Sequence, residues 1–244
     1  MRQIKEKDIR PPLRPIIFMG HTLEPIAIHQ ENQEDIIRQA KQLAQHYEHI
    51  HIMTISAIVD FTDQIVRLLF QTTHLPDTAR LNTSIFLQKI IYNLTADKVK
   101  TDKDKGADLR GIMREANALY IWSQKFQVYR SPHLDYIHKI DFIISDGAKC
   151  LPINIKGPKV DSAEIIPNNP PVWRVGVPYR TLYKSSELEL YSFPFGEKNH
   201  PREYEQILKL GSLGLQSTEV AKDLLPLPSD PHPSLDTGQC YLLH

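Results

Sequence analysis

The chain has 244 residues, of which 41% are hydrophobic and 24% charged, and its 29 basic and 29 acidic residues give a formal net charge of zero. This composition is typical of a globular domain large enough to bury a substantial core, alone or with a smaller helical lobe. Because the net charge is zero, contact with nucleic acid would have to come from a local basic patch. The N-terminal residues are charged, and the sequence has no apolar run of about eighteen residues, so we expect neither secretion nor membrane insertion.

Cysteine and histidine usage narrows the chemistry further. Cys150 and Cys240 are too few for a disulfide framework, so we expect free thiols in a reducing compartment and a cytoplasmic protein. The 11 histidines do not fall at metal-ligand spacing with cysteine or acidic partners. Walker, dinucleotide, zinc-ribbon and Gly-x-Ser-x-Gly patterns do not occur in the sequence, which argues against those enzyme classes.

Residues 1–105 are predicted to form a mainly helical N-terminal part. A short strand candidate at 16–20 precedes three segments with apolar residues at helical spacing, which are 34–49, 56–70 and 82–94. A mixed-charge run at 97–105 marks the best internal boundary. We interpret it as a solvated connection, with a flexible loop near a phosphate backbone as the alternative.

Residues 106–210 are predicted to form an α/β core, and residues 211–244 a C-terminal helix and tail. The pattern predicts, in order, a helix over 108–128, a hairpin over 140–156, strands over 172–177 and 188–193, a helix over 200–210, a short helix over 217–225 and a proline-rich tail. The resulting fold class is α+β, with the helical N-terminal part packed on a mixed central sheet. We expect one compact unit.

The hairpin is the central feature of the sequence. Two apolar-alternating runs flank Asp146-Gly147, a dipeptide that favours a tight turn. Strand alternation places one set of residues toward the core, namely Phe142, Ile144, Leu151, Ile153 and Ile155. If the loop has an even length, Asp141, Asn154 and Lys156 share the other face, with Asp141 opposite Pro152 and diagonal to Asn154. Pro152 within the second run favours an edge strand or a strand start.

These residues resemble the PD-(D/E)XK nuclease motif, in which an acid begins one strand and the next strand ends in acid-x-Lys. Asp141 matches the first acid, Asn154 the second and Lys156 the lysine, and Asn154 replaces the usual carboxylate. The resemblance implies a restriction-endonuclease-like core with Mg²⁺ held by Asp141 and Asn154. It also implies that Lys156 orients the attacking water or helps to deprotonate it. Since an amide is a weaker ligand for Mg²⁺ than a carboxylate, Glu115 or Asp135 would have to supply a second acid.

The resemblance implies a Mg²⁺-dependent endonuclease that cleaves double-stranded DNA as a homodimer. Glu115, on the helix before the hairpin, is a further catalytic candidate, with an exposed helix glutamate as the alternative. Four of the six basic residues of the stretch 148–184 are candidate DNA contacts, namely Lys159, Arg174, Arg180 and Lys184. Two other functions fit the sequence, a non-catalytic nucleic-acid-binding module with the same fold and a protein-interaction scaffold. The polar residues of the hairpin would then be its solvated face.

Overall fold

The computed structural model describes residues 13–48, 54–95, 107–157, 164–166, 171–186, 188–217 and 238–239. The mixed-charge run, the predicted helix beyond residue 217 and the proline-rich tail lie outside these ranges. Among the helices of the described segments, none combines the length and the apolar character needed to cross a membrane.

The structure is a mixed α+β fold, which agrees with the predicted class. A single 3₁₀ turn, Thr72–His74, follows α2. The described elements are β1 (Ile16–Phe18), β2 (His21–Leu23), α1 (Gln33–His46), α2 (Ile55–Gln71), α3 (Asp77–Thr95), α4 (Ala107–Ser123), β3 (Gln127–Tyr129), α5 (Pro132–His138), β4 (Phe142–Ser145), β5 (Cys150–Lys156), β6 (Glu164–Ile166), β7 (Val172–Gly176), β8 (Thr181–Lys184), β9 (Glu189–Tyr191), α6 (Pro201–Gln216) and β10 (Gly238–Gln239).

The three predicted N-terminal helices are confirmed. α1 begins after Asn32, whose side chain accepts a hydrogen bond from the Asp35 N–H at 2.9 Å, and its apolar stripe packs into the core. α3 begins five residues before its predicted start, directly after Pro76, because the only apolar residue of its first turn is the small Ala79, which alone does not reveal the helical period.

The helix predicted over 108–128 is too long. α4 ends at Ser123, and Gln127–Tyr129 form strand β3 instead. Val128 and Tyr129 extend the apolar stripe of the helix in sequence, and a short buried apolar run does not distinguish a helix from a strand. Neither α5 nor β6 has a pattern that predicts it, whereas the helix predicted over 200–210 is confirmed as α6 and extends to Gln216.

A five-stranded mixed sheet organises the molecule, in the order β3-β4-β5-β7-β6. All neighbouring strands are antiparallel except β5 and β7, which run parallel. One face carries the main core, formed with the helices, and the other carries a smaller core that includes residues of β1 and β2. Since both faces are covered, polar side chains of the central strands are removed from solvent.

The predicted hairpin is confirmed, with a register shifted by two residues. Phe142 pairs with Ile153, and a loop over 146–149 joins the strands. Gly147 adopts a φ of 94°, and the Asp146 carboxylate accepts hydrogen bonds from the Ala148 and Lys149 N–H groups. Because the loop length stays even, the predicted apolar face of both strands lies in the main core.

Two expectations about β5 are wrong. Pro152 lies inside a central strand rather than at a sheet edge. The proline is tolerated because the pairing of β5 with β7 begins only at Ile153. Cys150 is disulfide-bonded rather than free, and Cys240 lies outside the described residues. Cys150 faces the smaller core beside β1, to which β10 is paired, and this long-range proximity has no sequence signal. The reducing compartment that we expected therefore loses its support.

Helix α6 packs closely against the sheet at a glycine. A Cβ atom built on Gly214 would lie 2.4 Å from Leu151 Cδ2 and 3.1 Å from Trp173 Nε1. By contrast, a Cβ atom built on Gly111 in α4 would have no neighbouring atom within 4 Å. Gly111 and Gly214 therefore differ sharply in the space around them.

We predict opposite effects for the two alanine substitutions. Gly111→Ala should raise the free energy of unfolding by about 0.5–1 kcal/mol, because alanine loses less backbone entropy in a helix. Gly214→Ala should lower it by about 1–3 kcal/mol, because the buried Leu151 has no room to move. Urea unfolding measures both, and a stabilised Gly214→Ala variant would contradict the close packing of α6.

Candidate functional site

A largely buried group of acidic side chains surrounds one arginine where α2, α4, α5 and the start of β4 meet. We call it the carboxylate cluster, and its members are Asp63, Glu115, Arg130, Asp135 and Asp141. Arg130 directly follows β3, and Asp141 directly precedes β4. The helices bring the remaining acids to these two strand ends.

Backbone and side-chain hydrogen bonds fix the position of Asp141. Its N–H donates to the Ile153 carbonyl at 2.8 Å, and its Oδ2 accepts from the Ile155 N–H at 2.5 Å. Asn154 Nδ2 donates to the Lys139 carbonyl at 2.7 Å and lies 3.4 Å from Asp141 Oδ2. Asp141 is only 6% exposed and Asn154 only 3%, so these two residues do not belong to a solvated hairpin face.

Arg130 is the central cation of the carboxylate cluster, and its side chain is 1% exposed. Its Nη1 donates to Glu115 Oε2 at 2.6 Å. Its Nε lies 2.8 Å from Asp63 Oδ1 without hydrogen-bond alignment, and its Nη2 lies 3.8 Å from Asp135 Oδ2. Arg67 supports the arrangement by pairing with Asp63 and donating to the Arg130 carbonyl. The guanidinium is thus buried with some of its N–H groups poorly satisfied, a feature that calls for an explanation.

The acidic side chains carry more negative charge than these arginines balance. Burial, followed by the charges of Glu115 and Asp135, raises the pKa of Asp141 well above its ordinary value. Burial also raises the pKa of Glu115, in spite of its ion pair with Arg130. Burial raises the pKa of Asp135 as well, although the charges of Arg130 and Lys139 act in the opposite direction. Protonation, or an added cation, would relieve this excess.

Several residues singled out in the sequence lie together here. Asp141, Asn154 and Glu115 are all part of the site or touch it, and Asp135 supplies the further acid. Lys156 is exposed at the end of β5, where its charge acts on Asp135. Sequence reasoning did not find Asp63 or Arg130. No sequence pattern pointed to Arg130, because neither β3 nor α5, the elements on its two sides, was predicted.

The candidate DNA contacts are more scattered. Arg174 lies on β7 in register with Asn154, so it is next to the site. Arg180 forms an ion pair with Glu203, and Lys184 lies 3.8 Å from Glu189 on the exposed strand β8. Lys159 lies outside the described residues.

The donor chemistry of the carboxylate cluster suits a hard divalent cation, since its free acceptors are carboxylate oxygens with surplus negative charge. Across the described ranges, however, no three histidine, cysteine, aspartate or glutamate residues are grouped to hold a metal ion. Asn154 turns its amide nitrogen toward Asp141 and the Lys139 carbonyl. Binding of Mg²⁺ would therefore require Glu115 or Asp135 to turn toward Asp141.

Comparison with protein-family models, curated proteins and solved structures finds no match to this chain. The assignment of a function therefore depends on the chemistry of the site itself.

We predict that Arg130→Met will lower the free energy of unfolding by about 3–5 kcal/mol, because it leaves several buried carboxylates without their main cation. Arg38→Met is the matched control. Its guanidinium is 64% exposed and pairs with Asp35 on the surface of α1, where an ion pair contributes at most about 1 kcal/mol. Denaturant unfolding of both variants measures the difference, and equal losses would show that Arg130 does not hold the cluster together.

We predict that Asp141→Asn will stabilise the protein at neutral pH. A carboxyl with a raised folded-state pKa binds more protons in the folded than in the unfolded chain, so it makes stability fall as the pH rises from about 4, the ordinary carboxyl value. Asparagine removes this cost and keeps an acceptor for the Ile155 N–H. The gain should therefore be present at pH 7 and vanish near pH 4.

Thermal melting between pH 4 and pH 8 tests this pH dependence. Asp77→Asn serves as the control, because the Asp77 carboxylate is 92% exposed and its pair with Arg80 lies on the surface. A pH-independent change in Asp141→Asn, or a loss of stability at pH 7, would contradict the excess of negative charge around Asp141.

Proposed function

We propose that this protein is a metal-dependent nuclease that hydrolyses phosphodiester bonds of double-stranded DNA, with a restriction-endonuclease-like core. The observation that supports the proposal is the convergence of Asp141, Glu115 and Asp135 beside the strand that ends in Lys156. Glu115 lies on α4, distant in sequence from Asp135 and Asp141, so its approach to them is a tertiary contact. Such pairing of clustered acids with a nearby lysine suits phosphoryl chemistry.

The order of elements also supports the proposal. Helix α4 precedes an antiparallel set of strands β3, β4 and β5, and β7 then joins β5 in parallel. The first acid lies at the start of β4 and the lysine at the end of β5, as the motif resemblance requires. Glu115 lies on α4, which is separated from the hairpin by β3 and α5, and its carboxylate pairs with Arg130 in the same cluster.

Each residue then has a distinct task. Mg²⁺, when bound, would polarise the phosphate and lower the pKa of a water molecule. Asp141, with Glu115 or Asp135, would hold the ion. Lys156 would orient the attacking water from the exposed end of β5. Asn154 fixes the Asp141 carboxylate and the backbone at Lys139 through its amide group. Cutting both strands of a duplex needs two such sites, so we propose a homodimer.

A non-catalytic nucleic-acid-binding module is the second candidate. Asn154 favours it, because this residue donates hydrogen bonds at the position where the motif has a ligating carboxylate. In that case the fold would retain its DNA-binding surface without hydrolysis. Asn154→Asp separates the two functions, since a second carboxylate next to Asp141 should tighten binding of Mn²⁺ or Mg²⁺, seen as a larger metal-induced rise in melting temperature.

We predict that the purified protein nicks or linearises supercoiled plasmid DNA with Mn²⁺ or Mg²⁺ and is inactive with EDTA. Asp141→Asn should reduce cleavage below detection, because it removes the acid at the centre of the site. Lys156→Ala should reduce the rate by about 100-fold or more, the usual range for loss of a group that positions or transfers a proton. Gel electrophoresis of the plasmid over time measures both.

The Asp141→Asn variant is informative because we expect it to be at least as stable as the natural protein at neutral pH. Loss of its activity would then not reflect unfolding, and Arg38→Met provides a surface control that should cleave normally. Intact plasmid and phage DNA under all metal conditions, with no effect of Lys156→Ala, would refute the enzymatic function. DNA binding without cleavage would favour the second candidate.

A further inference from the structure

Arg114 lies on α4 beside the end of β5, next to the carboxylate cluster but outside it. Its guanidinium approaches Gly157, where a built Cβ atom would lie 3.6 Å from Nη2. The Cζ atom lies 4.8 Å from the centroid of the Tyr179 ring, at the distance of a cation–π contact. Gly157 directly follows Lys156, so the guanidinium adjoins the strand end that carries the proposed catalytic lysine.

Arg114 differs from Arg130 and Arg67 in its lack of an acidic partner among the described residues. Arg130 and Arg67 pair with carboxylates at 2.6–2.8 Å. Within the described ranges, Arg114 forms no ion pair, and its Nε is buried without a hydrogen-bond acceptor. Burial and the charge of Arg110, one turn earlier on the helix, lower the pKa of Arg114. Two like charges at this spacing destabilise a helix unless an anion joins them.

The surroundings of Arg114 carry surplus positive charge. Arg110 lies 3.9 Å from Glu189, and Lys184 lies 3.8 Å from the same carboxylate oxygen. Arg110 and Lys184 thus lie at the same Glu189 carboxylate, which is not within ion-pair distance of Arg114. In a chain with zero net charge, this is a local positive surface of the kind that a polyanion requires.

We propose that Arg114 binds a backbone phosphate of the nucleic acid at the end of β5. The planar guanidinium offers paired N–H donors that match phosphate oxygens, and Tyr179 holds its plane. Gly157 has no side chain on the side where a Cβ atom would be in van der Waals contact with the guanidinium. Arg114 is a positioning residue, one position before Glu115, and it would hold the strand beside the carboxylate cluster. This inference rests on the proposed function for the identity of its ligand.

Binding of a labelled DNA duplex in EDTA, followed by fluorescence anisotropy at several salt concentrations, tests the inference without catalysis. Arg114→Gln should weaken binding by about tenfold or more, the usual effect of losing a charge-assisted hydrogen bond. It should also reduce the salt slope by about one, since one phosphate contact is lost. Arg114→Lys should give an intermediate affinity with the slope retained, because lysine keeps the charge but not the planar fork.

Arg38→Gln on the surface of α1 is the matched control and should bind DNA like the natural protein. A melting curve for each variant verifies folding, and Arg114→Lys keeps the test decisive if Arg114→Gln does not fold. Equal affinities and slopes for Arg114→Gln and Arg38→Gln would overturn the inference. A second result would also overturn it. If inorganic phosphate raises the melting temperature only when Arg114 is present, and DNA does not bind, the ligand is a free phosphate and not a nucleic acid.

The two proposals fail in different ways. If plasmid DNA is never cleaved but Arg114→Gln weakens duplex binding, the proposed hydrolysis is refuted and the proposed phosphate contact is supported. If plasmid DNA is cleaved and Arg114→Gln binds and cleaves normally, the phosphate contact alone is refuted.

Discussion

The buried ion pairs of Arg130 are the interaction on which the rest of this structure depends. One guanidinium, at the end of β3, binds acids from α2 and α4 and lies near a third on α5. Its Cζ also lies 4.9 Å from the ring centroid of Phe142, so it contacts the first residue of β4. Taking several charged groups out of water is costly, and this cost is offset only while the cation and the carboxylates stay together. The same ion pairs therefore determine both how the helices pack against the sheet and how the acids of the site are arranged.

Helix α4 separates two regions of opposite charge. Glu115 points into the carboxylate cluster, whereas its neighbour Arg114 lies against Tyr179 and Gly157. Successive residues on a helix point about 100° apart, so one short segment can serve both regions. The end of β5 lies between them, with Lys156 exposed and Gly157 against the arginine. A neutral chain can in this way hold a buried group of acids and a group of basic side chains on two sides of one helix.

Local periodicity predicted the elements that carry a strong pattern, and it failed where tertiary contacts decide. The helices α1 and α2 and the hairpin strands have regular apolar spacing, so they were found within a few residues. The end of α4 was missed because Val128 and Tyr129 are as apolar as the helix before them. For the site, the parity of the hairpin was enough to place Asp141 beside Asn154. Arg130 and Asp63 were not found, because ion pairs between residues far apart in sequence leave no periodic signal.

The carboxylate of Asp141 takes over the role of a main-chain acceptor, because it receives the Ile155 N–H just beyond the last paired residues of β4 and β5. A ligand that binds this carboxylate and moves it would leave the Ile155 amide without its acceptor and weaken the open end of the hairpin. Hydrogen exchange of the Ile155 amide should therefore become faster when a ligand binds the Asp141 carboxylate, so this one amide indicates whether the carboxylate is occupied.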